Sequence, residues 1–229
     1  MSNKAAAATV VITIDGPAGA GKSTVARALA QHLRFSYLDT GAMYRALTLK
    51  ALRKKINLED ESALVKLAQV TTIDLKADAA RSLRVYLDGE DVTSEIRSLE
   101  VTNNTFYIAR TPGVREIVVE WQRTIGCQQS IVAEGRDVGT VVFPQARHKF
   151  YMDADFEVRC RRRIEELKAQ GKKFDEEGLK AELKERDQKD LTRKVGPLRR
   201  APDAIFIDST RLTVDQTVEK ILAHVKRHG

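Results

Sequence analysis

The sequence predicts an α/β fold, a doubly wound five-stranded parallel sheet with helices on both faces. Three observations carry this. Five short apolar runs alternate with segments of helical periodicity. Each run ends in polar residues, as strands do where a parallel sheet gathers its ligands. A glycine-rich segment joins the first run to the first helix.

In order, the β-branched run Val10–Asp15 reads as a buried strand, and apolar positions 25, 26, 29, 30 and 33 form one face of a first helix. Phe35–Asp39 is the second strand and Met43–Lys54 the next helix. From about residue 60 to 110 the rhythm breaks. There "LRVYLDGEDV" alternates around an Asp-Gly pair, the signature of a hairpin, and marks an inserted piece. A helix over Gly113–Ile125 leads to strands Ile131–Ala133 and Lys149–Met152. Helices Asp155–Lys168 and Glu177–Leu191 precede the fifth strand, Ala204–Asp208. The last helix opens with a capping box of Thr213 and Gln216 and carries the stripe Val214, Val218, Ile221, Leu222 and Val225.

The 229 residues suit one domain with small insertions, and 42% hydrophobic residues suffice for a sizeable core. No apolar run approaches the roughly 20 residues of a membrane span. The N-terminal "MSNKAAAATV" lacks a cleavage pattern, and Cys127 and Cys160 have no metal-ligand spacing, so a cytoplasmic chain without disulfides or zinc is expected. The net charge of +7 suggests anionic partners. Basic residues are mixed with acidic ones and not interleaved with aromatics, which argues against nucleic acid. Without an exposed heptad or long apolar patch, a monomer is expected.

Gly16 to Ser23 spells G-x-x-x-x-G-K-[ST] between strand and helix, the phosphate loop of P-loop NTPases. The segment Gly16, Pro17, Ala18, Gly19, Ala20, Gly21, Lys22, Ser23 and Thr24 aims backbone N–H groups and a helix N-terminus at one point, where a nucleoside triphosphate would bind. Lys22 would reach its β and γ phosphates, and the Ser23 hydroxyl would ligate Mg²⁺. No N-K-x-D guanine reader accompanies the loop, which favours a phosphotransferase over a GTPase switch. A transferase needs a second anionic pocket facing the loop. Asp39, Thr40 and Arg45 follow the second strand, and Glu134, Arg136 and Asp137 the third. Arg186, Lys189 and Arg193 share a helix face by their spacing, with Asp190 beside them. The alternative among kinases is a P-loop enzyme acting on UMP or a small hydroxylated metabolite, for which Asp39 would be the candidate base; a nucleotide-dependent RNA-binding protein is the alternative outside the kinases.

The stretches "VITIDGPAGAGKST", "YLDTGAMYRALTLKAL", "LDGEDVTSEIR", "PGVRE", "AEGRDVGTVVFPQA", "KERDQKD" and "DST" occur in this order in bacterial cytidylate kinases, which the chain resembles from about Val10 to its end. The resemblance implies ATP + CMP → ADP + CDP, with dCMP as another acceptor. It implies a core of about residues 9–60, 111–160 and 200–229, an insert for the nucleoside monophosphate at 61–110 and a lid at 161–195. Thr40, Arg45, Arg136 and Arg193 would grip the acceptor phosphate or the charge in flight, and Arg186 would close from the lid, so that Lys22, Arg136, Arg186 and Arg193 form the catalytic set. Arg115 and Asp137 match cytosine-contacting positions, and Asp190 a sugar-contacting one. Two departures stand out. Glu134 replaces an Asp of many relatives, and Phe106 replaces a serine that would hydrogen-bond the base. Either Phe106 joins the insert core, or Thr105 takes over the serine's role.

Overall fold

The computed structural model describes residues 9–78, 82–169, 171 and 174–227; positions 79–81 of the expected insert and 170, 172 and 173 of the expected lid lie outside the described residues. Strand β1 (Val11–Asp15) leads through the glycine-rich loop into helix α1 (Lys22–Leu33), then β2 (Ser36–Asp39) and α2 (Thr40–Arg53). There follow α3 (Glu61–Gln69), β3 (Ile73–Ala77), β4 (Leu83–Leu87), β5 (Glu90–Asp91) and α4 (Leu99–Arg110). The chain returns through α5 (Pro112–Gln128), β6 (Ile131–Gly135), β7 (His148–Asp153), α6 (Phe156–Ala169), α7 (Glu176–Thr192), β8 (Ile205–Asp208) and α8 (Val214–Arg227).

The five expected strands form one parallel sheet in the order β2-β6-β1-β7-β8. The order reverses at β1, so the crevice beyond its carboxyl end is where a ligand is expected. On one face Val25, Leu29 and Ala30 of α1 meet Val218, Ile221 and Leu222 of α8 over Ile12, Ile14 and Phe150. On the other, α2 and α5 cover Leu38, Ile131 and Ala133.

Helix α2 joins the parallel sheet to the antiparallel one. Met43, Leu47 and Ala51 face the sheet. Ala42, Ala46 and Leu49 face a second core with Val85, Leu87, Val92, Ile96 and Val101. One helix thus carries two apolar stripes at spacings of three and four. The expected hairpin is present: β4 pairs antiparallel with β5 around Asp88 and Gly89, both at positive φ, and with β3, which the sequence reading lacked. The capping box also closes as expected. Thr213 N–H donates to Gln216 Oε1 at 3.0 Å, and Gln216 N–H to Thr213 Oγ1 at 3.2 Å.

Helix α2 starts at Thr40 and not at Met43, because the Asp39 side chain accepts from Ala42 N–H at 2.9 Å and caps it. After β6 the chain makes a π-helical turn over Val138–Val142, which periodicity did not reveal. Its first N–H groups turn back to β1: Val138 and Gly139 donate to the two Asp15 carboxylate oxygens at 2.8 and 2.7 Å.

Candidate active site

The carboxyl ends of β1, β2 and β6 open into a cleft of about 990 Å³ roofed by α4 and α7. Among its lining residues are Ala18, Gly19, Gly21, Lys22, Ser23 and Thr24 of the glycine-rich segment. Thr40, Arg45, Arg115, Glu134, Arg136, Asp137, Arg186, Asp190 and Arg193 line it too. Gly16, Pro17 and Ala20 stand behind the wall. A Cβ at Gly16 would lie 1.9 Å from Met152 O, so this glycine lets the loop leave β1 against β7. The Pro17 carbonyl accepts from Lys22 Nζ at 2.7 Å. The Ala20 carbonyl accepts from Arg162 and Ser209 at 3.2 and 3.1 Å.

Lys22 is buried, and that burial, followed by the charge on Arg136, lowers its amine to about 7 although Glu134 opposes the shift. Burial likewise lifts Asp15 to about 6 against its two backbone donors. Ser23 Oγ donates to Glu134 Oε1 at 2.6 Å, and Tyr37 OH to the same oxygen at 3.2 Å. The Glu134 side chain therefore faces the phosphate loop, while its carbonyl accepts from Thr40 Oγ1 at 2.7 Å.

Opposite the loop, arginines pair with carboxylates from other elements. Arg45 Nη2 lies 2.7 Å from Asp39 Oδ2, and Arg97 reaches the same oxygen at 3.8 Å. Burial alone would raise Asp39, yet Arg45, Arg97 and the Ala42 N–H hold its carboxyl below the usual range. A capped, twice-paired carboxylate is ill placed to accept a proton from a hydroxyl substrate. Arg136 Nε donates to Asp190 Oδ2 at 2.7 Å across the cleft. Asp137 pairs with Arg115 and, at 3.3 Å, with Arg193, whose Nε also donates to the Gly196 carbonyl. Burial pushes the Asp137 carboxyl up despite both arginines. The Arg115 guanidinium lies 5.5 Å from the Tyr44 ring centroid.

The expected Arg186–Lys189–Arg193 face divides. Arg193 is the C-terminal cap of α7 and is buried in the cleft. Lys189 points instead to the Phe106 ring, 5.5 Å away, and pairs with Glu185. Among the described residues Arg186 makes no ion pair. Its enclosure, and then the Arg136 charge, push the guanidinium down to about 10. Phe106 joins neither the sheet cores nor the insert core. It lines a side cavity of about 270 Å³ between α4 and α7 and lies between Arg110 and Lys189, while Thr105 lines the main cleft. Sequence reasoning missed Asp15, Tyr37, Tyr44, Arg97 and Arg162. The first ends β1 beside the glycine run, a position that could have marked it.

The model of the cytidylate kinase family matches residues 12–227. A cytidylate kinase of Pelotomaculum thermopropionicum is 52% identical over 214 residues, 93% of this chain and 95% of that protein. One from Desulforamulus reducens is 51% identical over 216 residues, covering 94% and 96%. A solved structure from Eubacterium ventriosum, described as an uncharacterized protein, superposes with a TM-score of 0.52 at 13% identity over 96% of this chain and 99% of that one, and shares the fold alone. Loop, cleft and paired arginines thus sit in a sequence matched almost end to end, and the chain belongs to the cytidylate kinase family.

Proposed function

We propose that the chain transfers the γ-phosphoryl group of ATP to CMP, giving ADP and CDP, and takes dCMP as a second acceptor. The observation that carries this is the convergence of Lys22, Arg136 and Arg186 on one cleft, with Arg186 enclosed and without a carboxylate partner among the described residues. Six or more phosphate oxygens from two nucleotides would satisfy such a cluster. An acceptor phosphate with a second pKa near 6 is deprotonated at neutral pH, so the reaction needs no general base. Its barrier is the repulsion and alignment of two anions.

The loop amides and Lys22 hold the β and γ phosphates. Lys22 leaves the Pro17 carbonyl and regains its proton as they arrive. Arg45, held by Asp39, and Thr40 grip the acceptor phosphate with Arg136 and Arg193, while Arg186 meets the transferring group from α7. Arg115 and Asp137 read cytosine. Uracil, which swaps donor for acceptor on that edge, would leave this pair mismatched. Asp190 takes the sugar. The site fits Mg²⁺, since Ser23 Oγ and Glu134 offer hard oxygens together. Among the described residues no cluster of three acidic, His or Cys side chains forms a closed cage, so phosphate and water oxygens would complete the shell. When bound, the ion neutralises charge across the β and γ phosphates.

In this reading residues 61–110 are the acceptor-binding insert and 161–195 the lid. They sit on a core of 9–60, 111–160 and 200–229. Supporting the division, the antiparallel sheet has a hydrophobic core of its own against α2. The enzyme works as a cytoplasmic monomer on small nucleotides, without nucleic acid. None of the helices among the described residues is long and apolar enough to cross a membrane.

The test is ADP release from Mg-ATP with CMP, dCMP, UMP, AMP or no acceptor. CMP and dCMP should be the fast acceptors. Equal rates with UMP would refute the cytosine reading of Arg115 and Asp137, and no stimulation by any monophosphate would sink the kinase assignment.

A further inference from the structure

We propose that Asp187 and Arg159 are positioning residues that clip helix α7 onto the phosphate loop at Ala18 and so fix where Arg186 and Asp190 stand in the cleft. The proposal rests on the phosphoryl-transfer reading above. Both polar groups of Ala18 are engaged. Its N–H donates to Asp187 Oδ1 at 3.4 Å, and its carbonyl accepts from Arg159 Nη1 at 3.0 Å. Arg159 Nη1 also meets Asp187 Oδ2 at 2.5 Å, which closes a triangle of loop, α6 and α7. The Ala18 methyl lies in a small apolar cluster with Cys160 of α6 and Leu183 of α7, against Phe156.

Arg159 is the fixed end of the clip. Its Nε donates to the Ala154 carbonyl at 3.1 Å, and a Cβ at Gly19 (φ +75°) would come within 2.9 Å of the Arg159 carbonyl oxygen. Loop and α6 therefore touch backbone to backbone. Asp187 is the movable end, and the α7 spacing gives it leverage. Leu183 and Asp187, four residues apart, face the loop, while Arg186 and Asp190, also four apart, face the cleft, where Asp190 holds Arg136. Because a helix moves as a unit, release of α7 from Ala18 displaces Arg186 and the Arg136–Asp190 pair together. The strong link is the charge-assisted Arg159–Asp187 pair, whereas the 3.4 Å amide bond mainly sets register. The clip reaches Arg136 and Asp190 only through α7, so its loss disturbs the alignment of the transfer and these two CMP contacts together.

The experiment uses the full chain with Asp187→Asn, Asp187→Ala, Arg159→Lys, the Asp187→Ala/Arg159→Lys double variant and, as control, Glu177→Gln on the exposed side of α7. Three quantities are read: kcat and KM with CMP, ADP release to water without acceptor, and amide hydrogen exchange of the free protein. Asp187→Asn should lower kcat about tenfold and raise KM for CMP by no more than a similar factor, since Arg136 and Asp190 move with Arg186. The water-directed share of ADP release should rise, and exchange should quicken in α7 and the loop alone. The double variant should be no worse than the worse single one, as expected for residues acting as one unit. Glu177→Gln should match the wild type. A kcat within about twofold of wild type with unchanged exchange, or additive losses in the double variant, would overturn the clip. If Arg159→Lys fails to fold, Asp187→Asn carries the comparison. If the wild type shows no CMP-stimulated ADP release, the kinase reading falls, and the exchange of α7 and loop amides alone decides whether the clip exists.

Discussion

Lys22→Met should abolish a proton uptake that accompanies nucleotide binding by the wild type. In the free protein, burial and then the neighbouring Arg136 charge lower Lys22 from 10.5 to about 7. At pH 8 only about a tenth of the molecules would carry the charge. A bound polyphosphate restores the ammonium, so about 0.9 proton should be taken up per nucleotide at pH 8, and affinity should fall about fivefold between pH 7 and pH 8. The other groups are silent at pH 8: Asp15, raised to about 6, is ionised, and so is the terminal phosphate. The assay is titration calorimetry with ADP in two buffers of different ionisation enthalpy, without CMP. Lys22→Arg keeps its proton throughout and should bind with no uptake. A wild-type uptake below about 0.3 proton, or the same uptake in Lys22→Met, would refute the reasoning. Stability has its own sign. Between about pH 7 and 10.5 the unfolded chain holds the Lys22 proton and the folded one does not, so this group makes the free protein more stable as pH rises through that window. Lys22→Met should flatten that slope.

Two further substitutions separate chemistry from scaffold. Arg136→Ala strands Asp190 and removes a charge from the centre of the cleft, so kcat/KM for CMP should fall at least about 100-fold in steady-state assays; near wild-type rates would put the acceptor phosphate elsewhere. Asp60→Ala removes only the cap of α3, a 3.0 Å bond from Ala63 N–H, and should cost about 1 kcal/mol, lowering Tm by about 2–4 °C with kcat unchanged.

The parallel sheet and the phosphate loop were legible in the sequence because each rests on local patterns. Five apolar runs became the five strands, and the glycines of the loop stand where spacing put them. The antiparallel sheet was legible only in part. Its Asp-Gly turn announced the hairpin, but strand Ile73–Ala77 is half-exposed and its apolar residues gain meaning only against α2. Boundaries shifted where a side chain decided them, as when the Asp39 cap drew α2 back to Thr40. Pairings were least legible. Helical spacing set Asp190 beside Arg186 and Arg193, yet its bond goes to Arg136, 54 residues away in sequence. Such partners are chosen by which strand end meets which helix, and that is a property of the closed fold.

Those pairings also account for how so many cations are kept in one cleft. Arginines brought together without counter-charges would repel one another and lose hydration, so an isolated cluster of this kind would cost more stability than a fold can spare. Here Arg45 rests on Asp39, Arg136 on Asp190, and Arg115 with Arg193 on Asp137. Each carboxylate orients its arginine and offsets part of its charge without saturating five N–H donors. A phosphate oxygen can therefore join the pair without displacing the acid. Arg186 and Lys22 lack such partners, and burial lowers both, Arg186 to about 10, where it keeps its charge at neutral pH, and Lys22 to about 7. Among the described residues the cleft thus holds paired cations already oriented and, in Lys22 and Arg186, two buried cations without an ion pair whose charged forms gain when an anion arrives. Lys22 and Arg186 are the residues that should gain most from the transferring phosphoryl group. Differential stabilisation of that kind, larger for the reacting anion than for the empty site, is what lowers a barrier.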